Sequence, residues 1–197
     1  GEKGSQPQQL SRLSGLAHFR FASATTIRPG SNPPELIAAP TAEDRPGFGV
    51  ALLSRFPLGP WTRHRLPKRR HGQRCILSGT VVTPSGPVTV LVTQLSSAAE
   101  DRGAQVGALL RHAQTQATPL MVLGDMQTDA TSDELAPLGS FLRNAAGDRA
   151  PLSFPASSPT EAMDHIYVSP ELKIAMPSRA LDRQGALHLP VIARLSL

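Results

Sequence analysis

Apolar residues recur along the chain in short runs whose spacing predicts β-strands. Residues 48–54 form an apolar run, residues 74–83 alternate between apolar and polar positions, and residues 88–95 are rich in β-branched side chains. Pro84-Ser85-Gly86-Pro87 separates the last two runs, and this composition is typical of a turn between two strands. We therefore expect a hairpin, which would make at least part of the sheet antiparallel.

Two further segments carry apolar residues at helical spacing. Ser5 and Pro7 have the composition of a helix cap and first turn, and the apolar stripe Leu10, Leu13, Leu16 and Ala17 follows them. A second stripe, Val106, Leu109, Leu110 and Ala113, follows the acidic pair Glu100 and Asp101. Between the helix-like and strand-like segments, residues 28–47 contain many Pro and Gly residues and are expected to form a long loop.

Three later apolar runs predict the remaining strands at residues 120–123, 163–168 and 189–195. Strands that alternate with amphipathic helices and include one hairpin favour a mixed α/β layer architecture. A length of 197 residues is sufficient for one globular domain with a sizeable core. No apolar run approaches the roughly 20 residues that a membrane span requires.

Composition adds two constraints. Cys75 is the single cysteine, which excludes an internal disulfide and a multi-cysteine zinc site, and its apolar neighbours predict a core position. The formal charge is +5, and the basic residues concentrate in one region that could neutralise phosphates of a nucleic acid or a phospholipid headgroup, or could be a solvated loop. That region contains Arg63, Arg65, Lys68, Arg69, Arg70 and Arg74.

Candidate chemistry lies at strand ends, where a substrate can reach side chains of fixed direction. Asp125 follows an apolar strand and Gly124, a glycine that would let the backbone approach a ligand closely. Asp164 and His165 open the strand at 163–168, and alternation places their side chains on opposite faces, so only one of them can join a given site. His188 stands at the entrance of the last strand. The sequence therefore predicts a metal or phosphate site around Asp125.

These segments, taken in order, resemble the endonuclease/exonuclease/phosphatase superfamily. Five of them carry the resemblance: Gly49-Val50-Ala51-Leu52-Leu53-Ser54-Arg55-Phe56-Pro57-Leu58, Val90-Leu91-Val92-Thr93-Gln94-Leu95, Val122-Leu123-Gly124-Asp125-Met126-Gln127, Met163-Asp164-His165-Ile166-Tyr167-Val168 and Leu187-His188-Leu189-Pro190-Val191. In addition, Arg102 and Gln105 match the Arg-x-x-Gln pattern of the helix between the second and third segments.

The resemblance implies an α/β sandwich of two mixed β-sheets flanked by helices, formed by a single domain over residues 1–197. It also implies a domain whose first strand would precede residue 1, so we expect this chain to be N-terminally incomplete. The family's chemistry implies Mg²⁺, or Mn²⁺, held by Asp125 and Glu2, with His188 as the base and Asp164 orienting it. Gln94, Gln127, Arg55 and Arg74 would contact the phosphate of a nucleic acid, a phospholipid headgroup or a small phosphoester.

Three positions depart from the family pattern. Gln94 stands where the family has a histidine, and an amide can neither carry positive charge nor give up a proton. Gln127 replaces an asparagine and is one methylene longer, while Leu187 replaces an aspartate that would supply a hard oxygen ligand. An error of about 1 Å in placement can cost roughly 100-fold in rate.

Two functional interpretations therefore stay open. The departures favour a degenerate site, in a weakened or non-catalytic domain that binds a phosphate-bearing ligand. The alternative is a Mg²⁺-dependent phosphodiesterase, nuclease or phosphatase that uses the remaining Asp125, Asp164 and His188.

Overall fold

The computed structural model describes residues 5–40, 47–69, 72–147, 149–182 and 185–197. Three helices lie in this part of the chain: α1 (Gln6–Ser14), α2 (Ala99–Gln114) and α3 (Ala136–Phe141). The strands are β1 (His18–Ile27), β2 (Leu36–Ala38), β3 (Gly47–Ser54), β4 (Leu58–Arg65), β5 (Cys75–Thr83), β6 (Gly86–Gln94), β7 (Leu120–Asp125), β8 (Arg143–Asn144), β9 (Asp164–Val168), β10 (Lys173–Ala180) and β11 (Val191–Ser196). None of the described helices is long and apolar enough to cross a membrane.

A mixed six-stranded sheet with the order β4-β5-β6-β7-β9-β8 forms the centre of the fold. The predicted hairpin is the antiparallel pair β5 and β6, which meet in register from Ile76↔Thr93 to Thr83↔Gly86. Strand β7 returns parallel to β6 after the crossover helix α2, and β9 then runs antiparallel to β7. The helix therefore covers one face of the sheet, as expected for a β-α-β unit.

Each face of this sheet packs against a separate core. On one face, α2 and α3 cover a cluster that includes Leu91, Leu109 and Leu138. On the other face, Leu77, Val90 and Val168 pack against β1 and β3 and against the hairpin β10-β11. Helices, a central sheet and a second layer of strands thus form the predicted layered α/β sandwich. The second layer consists of the sheet β2-β1-β3 and the sheet β10-β11, and all of its pairings are antiparallel.

Two expectations about the first helix have different outcomes. Helix α1 forms and has a proline in its first turn, but Ser5 makes no side-chain capping hydrogen bond. Its apolar stripe is also not buried by the described residues, since Leu10 is 48% exposed and Leu13 is 86% exposed. Helical spacing therefore predicts the element correctly but does not predict a partner for its apolar face.

Strands β4 and β10 both contain a proline and were not predicted from sequence. Pro60 in β4 lies within the register shift between Leu58 and Trp61. Pro177 in β10 lies within the shift between Met176 and Arg179. Strand β4 is an edge of the central sheet and β10 belongs to a two-stranded ribbon. Edge positions and bulges tolerate the missing N–H of proline, so these segments remain strands despite the breaker.

The predicted loop at residues 28–47 is interrupted by β2, which pairs with β1 through Thr25↔Ala38, Thr26↔Ile37 and Ile27↔Leu36. A salt bridge between Arg28 and Glu35 closes the turn that joins the two strands, with 2.7 Å between Arg28 Nε and Glu35 Oε2. The pairing explains why a proline-rich segment still carries a short strand: the three residues of β2 lie between the prolines rather than at them.

Candidate functional site

Three polar residues occupy one row across the central sheet. Gln94 pairs with Asp125 across the parallel strands β6 and β7, and Asp125 pairs with Asp164 across the antiparallel strands β7 and β9. Laterally paired residues of neighbouring strands direct their side chains to the same face, so these three groups point to one side. The strand ends predicted to carry chemistry therefore converge.

His188 joins this row from the loop before β11. Its Nδ1 lies 2.7 Å from Oδ2 of Asp164, and both side chains are about one-quarter exposed. A carboxylate can only accept, so Nδ1 carries the hydrogen and Nε2 is left without a hydrogen-bond partner among the described residues. The Phe154 ring packs on the imidazole with 4.8 Å between ring centroids. The pair thus has a fixed ring orientation and one open nitrogen.

Ser153 supports this pair and was not identified from the sequence. Its hydroxyl donates to Oδ2 of Asp164 over 2.6 Å, and its side chain is fully buried. Its backbone carbonyl also accepts the N–H of Leu189 over 2.7 Å, directly after His188. One residue therefore holds both members of the pair. Ser153 lies between Pro151 and Pro155 and belongs to no periodic apolar pattern, so only its three-dimensional contact identifies it.

Asp125 is held by two amides. Its Oδ2 accepts hydrogen bonds from Gln94 Nε2 at 3.1 Å and from Gln127 Nε2 at 2.6 Å. Its Oδ1 accepts the backbone N–H of Gln127 at 3.0 Å. Arg74 donates to Oε1 of Gln94 over 2.6 Å, so a guanidinium adjoins this amide. Hydrogen bonds thus connect Asp125 with three predicted residues: Gln127 directly, Gln94 directly, and Arg74 through Gln94.

The backbone of Gly124 gives a second reason for a glycine at this position. Its φ is +148°, and a Cβ at this position would lie 1.8 Å from the carbonyl oxygen of Thr93 in β6. The glycine therefore allows close approach of the neighbouring strand β6.

Among the described residues, Asp125, Asp164 and His188 offer three potential ligand atoms that all lie within 4.8 Å of one another. Carboxylate oxygen is the ligand that Mg²⁺ and Mn²⁺ prefer, and Asp125 supplies it. The carboxylate oxygens of Asp125 and Asp164 are therefore of the type that a divalent cation binds. Glu2, the other predicted ligand, lies outside the described residues, and Leu187 is 79% exposed and offers no ligand atom from its side chain.

The basic residues do not form a single loop. Arg63 and Arg65 belong to β4, and their guanidinium groups bind backbone carbonyls of Ser23, Ala39 and Pro40. These two arginines therefore tie the central sheet to the neighbouring layer. Lys68 and Arg69 remain exposed, and Arg70 lies outside the described residues.

Arg55, predicted to contact the phosphate, does not contact the row of site residues. It is exposed after β3 and makes no hydrogen bond or ion pair with the described site residues.

Cys75 is buried as predicted, and burial raises the pKa of its thiol to about 11. A thiol with this pKa is protonated at neutral pH and is a poor nucleophile.

The comparison with protein families agrees with the fold. Residues 4–182 match the model described as the endonuclease/exonuclease/phosphatase family, so the chain belongs to this family. Enzymes of this family act on phosphoester substrates and generally depend on divalent metal ions. The matched range contains Asp125 and Asp164, while His188 lies beyond it. No curated protein matches the chain.

Solved structures show the same fold at low identity. An endonuclease/exonuclease/phosphatase from Beutenbergia cavernae is 21% identical with a TM-score of 0.71, over 100% of this chain and 58% of that one. The human Nocturnin catalytic domain with bound sulfate is 20% identical with a TM-score of 0.66, over 99% and 76%. A mannosyl-6-phosphatase from Bacteroides thetaiotaomicron is 15% identical with a TM-score of 0.64, over 75% and 70%. This chain therefore spans little more than half the length of the first of these neighbours.

Proposed function

We propose that this domain hydrolyses phosphoesters with the help of a divalent metal ion. The single observation that carries the proposal is the His188–Asp164 pair, whose 2.7 Å hydrogen bond leaves Nε2 open on the face shared with Asp125. Phosphoryl transfer to water requires a group that removes a proton from the water, and a histidine held by a carboxylate is suited to that task.

In this proposal His188 Nε2 accepts the proton of the attacking water. Asp164 keeps the hydrogen on Nδ1, fixes the orientation of the ring and stabilises the positive charge that develops on it. Ser153 restricts the carboxylate of Asp164 through its own hydrogen bond. The buried Ser153 thus helps to hold the His188 ring through Asp164. His188 and Asp164 are partly exposed, so Nε2 of His188 stays accessible.

The metal would be held by Asp125, with Glu2 as the further ligand that the family resemblance implies. When bound, the ion would neutralise the charge of the phosphate. Arg74 would supply positive charge for the phosphate at the Gln94 end of the row. Its guanidinium donates to Gln94, whose amide carries no charge. The sulfate in the human Nocturnin structure is a tetrahedral anion of the same kind as phosphate.

The test is hydrolysis of bis(p-nitrophenyl) phosphate by the purified chain under saturating Mg²⁺ or Mn²⁺. We expect turnover by the unmodified chain and a loss of about 10²- to 10⁴-fold in His188→Ala, the range that a general base contributes. The melting temperature of the variant should stay close to that of the unmodified chain. His18→Ala in β1 is the matched control and should keep full activity. Turnover that survives in His188→Ala, or no turnover in the unmodified chain, would overturn the proposal.

A second candidate is a phosphate-ligand-binding domain without turnover. The observation that favours it is the state of Asp125, whose carboxylate accepts three hydrogen bonds from Gln94 and Gln127 and has few free lone pairs for an ion. The replacement of an acidic ligand by Leu187 points in the same direction. The domain would then recognise phosphate through Arg74 and neighbouring exposed basic residues, with an affinity that falls as salt increases.

Calorimetry separates the two candidates. Titration with Mn²⁺ should show binding if hydrolysis is the function, and Asp125→Asn should weaken it. Titration with inorganic phosphate, without metal, should show salt-dependent binding that Arg74→Met abolishes if the domain only binds. Arg143→Met is the control for the second titration, because Arg143 donates to the backbone carbonyl of Leu172 and lies outside the row of site residues.

A further inference from the structure

His165 lies directly after Asp164 in β9 but faces the opposite side of the sheet. It is 2% exposed, and its ring lies near that of Tyr167, with 6.2 Å between centroids. Alternation along β9 places His165 and Tyr167 on one face and Asp164 on the other. His165 therefore cannot contact a substrate bound over Asp164, and its burial requires another explanation.

The contact that His165 makes is with the loop after β7. Its Nε2 lies 2.9 Å from the backbone carbonyl oxygen of Thr128. A carbonyl oxygen can only accept, so Nε2 carries the hydrogen and the imidazole is held as that tautomer. The buried Nδ1 has no hydrogen-bond partner among the described residues. The only described hydrogen bond of this side chain is therefore with Thr128, next to Gln127.

Gln127 has an unusual backbone conformation. Its φ is +56°, and it is the one residue other than glycine with positive φ in the described part of the chain. Left-handed conformations are disfavoured for a side chain of this size, and they persist where surrounding contacts enforce them. In this conformation both the backbone N–H and the side-chain amide of Gln127 reach Asp125.

The turn at Gln127 is held by two hydrogen bonds, one to Met163, which precedes β9, and one to His165 in β9. Met126 N–H donates to the carbonyl oxygen of Met163 over 2.7 Å, and His165 binds the carbonyl on the other side of Gln127. Gln127 is thus fixed between two anchored neighbours. Removing either anchor would let the backbone relax to negative φ, which would withdraw both donors from Asp125.

We propose that His165 is a positioning residue that acts through the Thr128 carbonyl and keeps Gln127 in the left-handed turn that directs its two N–H donors at Asp125. The inference about the turn stands on the geometry alone. Its kinetic consequence rests on the proposed function, because only a catalytic domain would show it as a change in turnover.

The first test measures the turn itself, without activity. Amide hydrogen exchange of Gln127 should become at least about tenfold faster in His165→Leu, since its N–H loses its acceptor once the turn relaxes. His165→Gln can place an amide nitrogen near the position of Nε2 and should keep the protection. Tyr167→Phe is the matched control: it removes a hydroxyl from the next residue on the same face of β9, and it should leave Gln127 protected.

A second variant tests the coupling to the strained residue. Asparagine adopts the left-handed conformation more readily than glutamine, so Gln127→Asn should recover part of the lost protection in the His165→Leu background. If His165→Leu does not fold, His165→Asn replaces it, because its amide is too short to reach Thr128. The same exchange measurement and the same controls then apply.

Kinetics supply the functional outcome. In a chain that turns over bis(p-nitrophenyl) phosphate, His165→Leu should lower kcat by about tenfold or more with a smaller change in KM, and His165→Gln should rescue kcat. Unchanged exchange of Gln127 in His165→Leu would overturn the inference, as would equal losses in Tyr167→Phe. Absence of turnover in the unmodified chain would overturn the proposed function alone, because the exchange result still decides whether His165 holds the turn.

Discussion

Ser153→Ala tests whether the hydrogen bond to Asp164 stabilises the fold as well as the candidate site. Ser153 is fully buried and its hydroxyl donates to a carboxylate oxygen over 2.6 Å. A hydrogen bond to a charged group contributes about 1.5–3 kcal/mol net, roughly twice the value for two neutral groups. Asp164 is about one-quarter exposed, so water can partly replace the lost donor. We therefore expect the free energy of unfolding to fall by about 1.5–2 kcal/mol, at the lower end of this range.

Ser78→Ala is the matched control. Ser78 is 5% exposed, and its hydroxyl donates over 3.3 Å to the neutral amide oxygen of Gln116. A long bond between neutral groups should contribute less than about 1 kcal/mol. The control therefore removes the same hydroxyl from a similar degree of burial, but without the charged acceptor.

Urea unfolding followed by circular dichroism measures both variants. For a slope of about 1–3 kcal/mol per molar urea, a difference of about 1 kcal/mol between the variants separates their midpoints by roughly 0.5 M. The midpoint needs no extrapolation to water and is the quantity to compare. Equal midpoints for Ser153→Ala and Ser78→Ala would refute the reasoning, because they would show that the charged acceptor adds nothing.

Three other predictions follow from burial and charge. Cys75, with a pKa raised to about 11 by burial, should react with Ellman's reagent at pH 8 only as fast as the chain unfolds, and rapid labelling of the native protein would contradict its burial. Burial lowers the pKa of His64 and of His112 below 6.5, and the neighbouring His64 lowers that of His112 further, so the unfolded chain takes up these protons first. The stability that these neutral histidines contribute should be complete above pH 6.5 and should decline as the pH falls through their lower pKa values in the folded state. The urea midpoint of a His64→Gln/His112→Gln variant should therefore depend less on pH in that range. Gln94→His, beside Arg74, should raise kcat for bis(p-nitrophenyl) phosphate by supplying a protonatable donor, and an unchanged kcat would show that the amide at this position does not limit the rate.

The sequence predicts the central sheet well because its strands are short apolar runs bounded by turn residues. Strands β5, β6 and β7 lie where the alternation and the turn composition place them, and the crossover helix α2 follows its acidic first turn. Strand β4 escaped prediction for a physical reason: it is an edge strand with charged residues and a proline, and edge positions do not require an apolar pattern.

The candidate site was predictable where it depends on the strand ends and not where it depends on contacts across the chain. Asp125, Asp164 and His188 were identified because acids and histidines at the ends of apolar strands are a local signal. Ser153 and the left-handed turn at Gln127 were not identified, since a buried hydroxyl and a positive φ leave no periodic trace in a sequence. Composition also could not predict that Arg63 and Arg65 lie in a strand while Lys68 and Arg69 lie in the loop after it.

The single row formed by Gln94, Asp125 and Asp164 has a consequence for the kinds of sequence change that the domain tolerates. Substitution at any of these positions alters one group and leaves the other two in place. Gln94 and Asp125 are the last residues of β6 and β7, so an insertion or deletion of one residue within either strand would instead turn them to the other face, because the side-chain period is two. The polar group would then enter an apolar core, and a core residue would take its place at the surface. Length variation among relatives should therefore be confined to the connections outside β6 and β7.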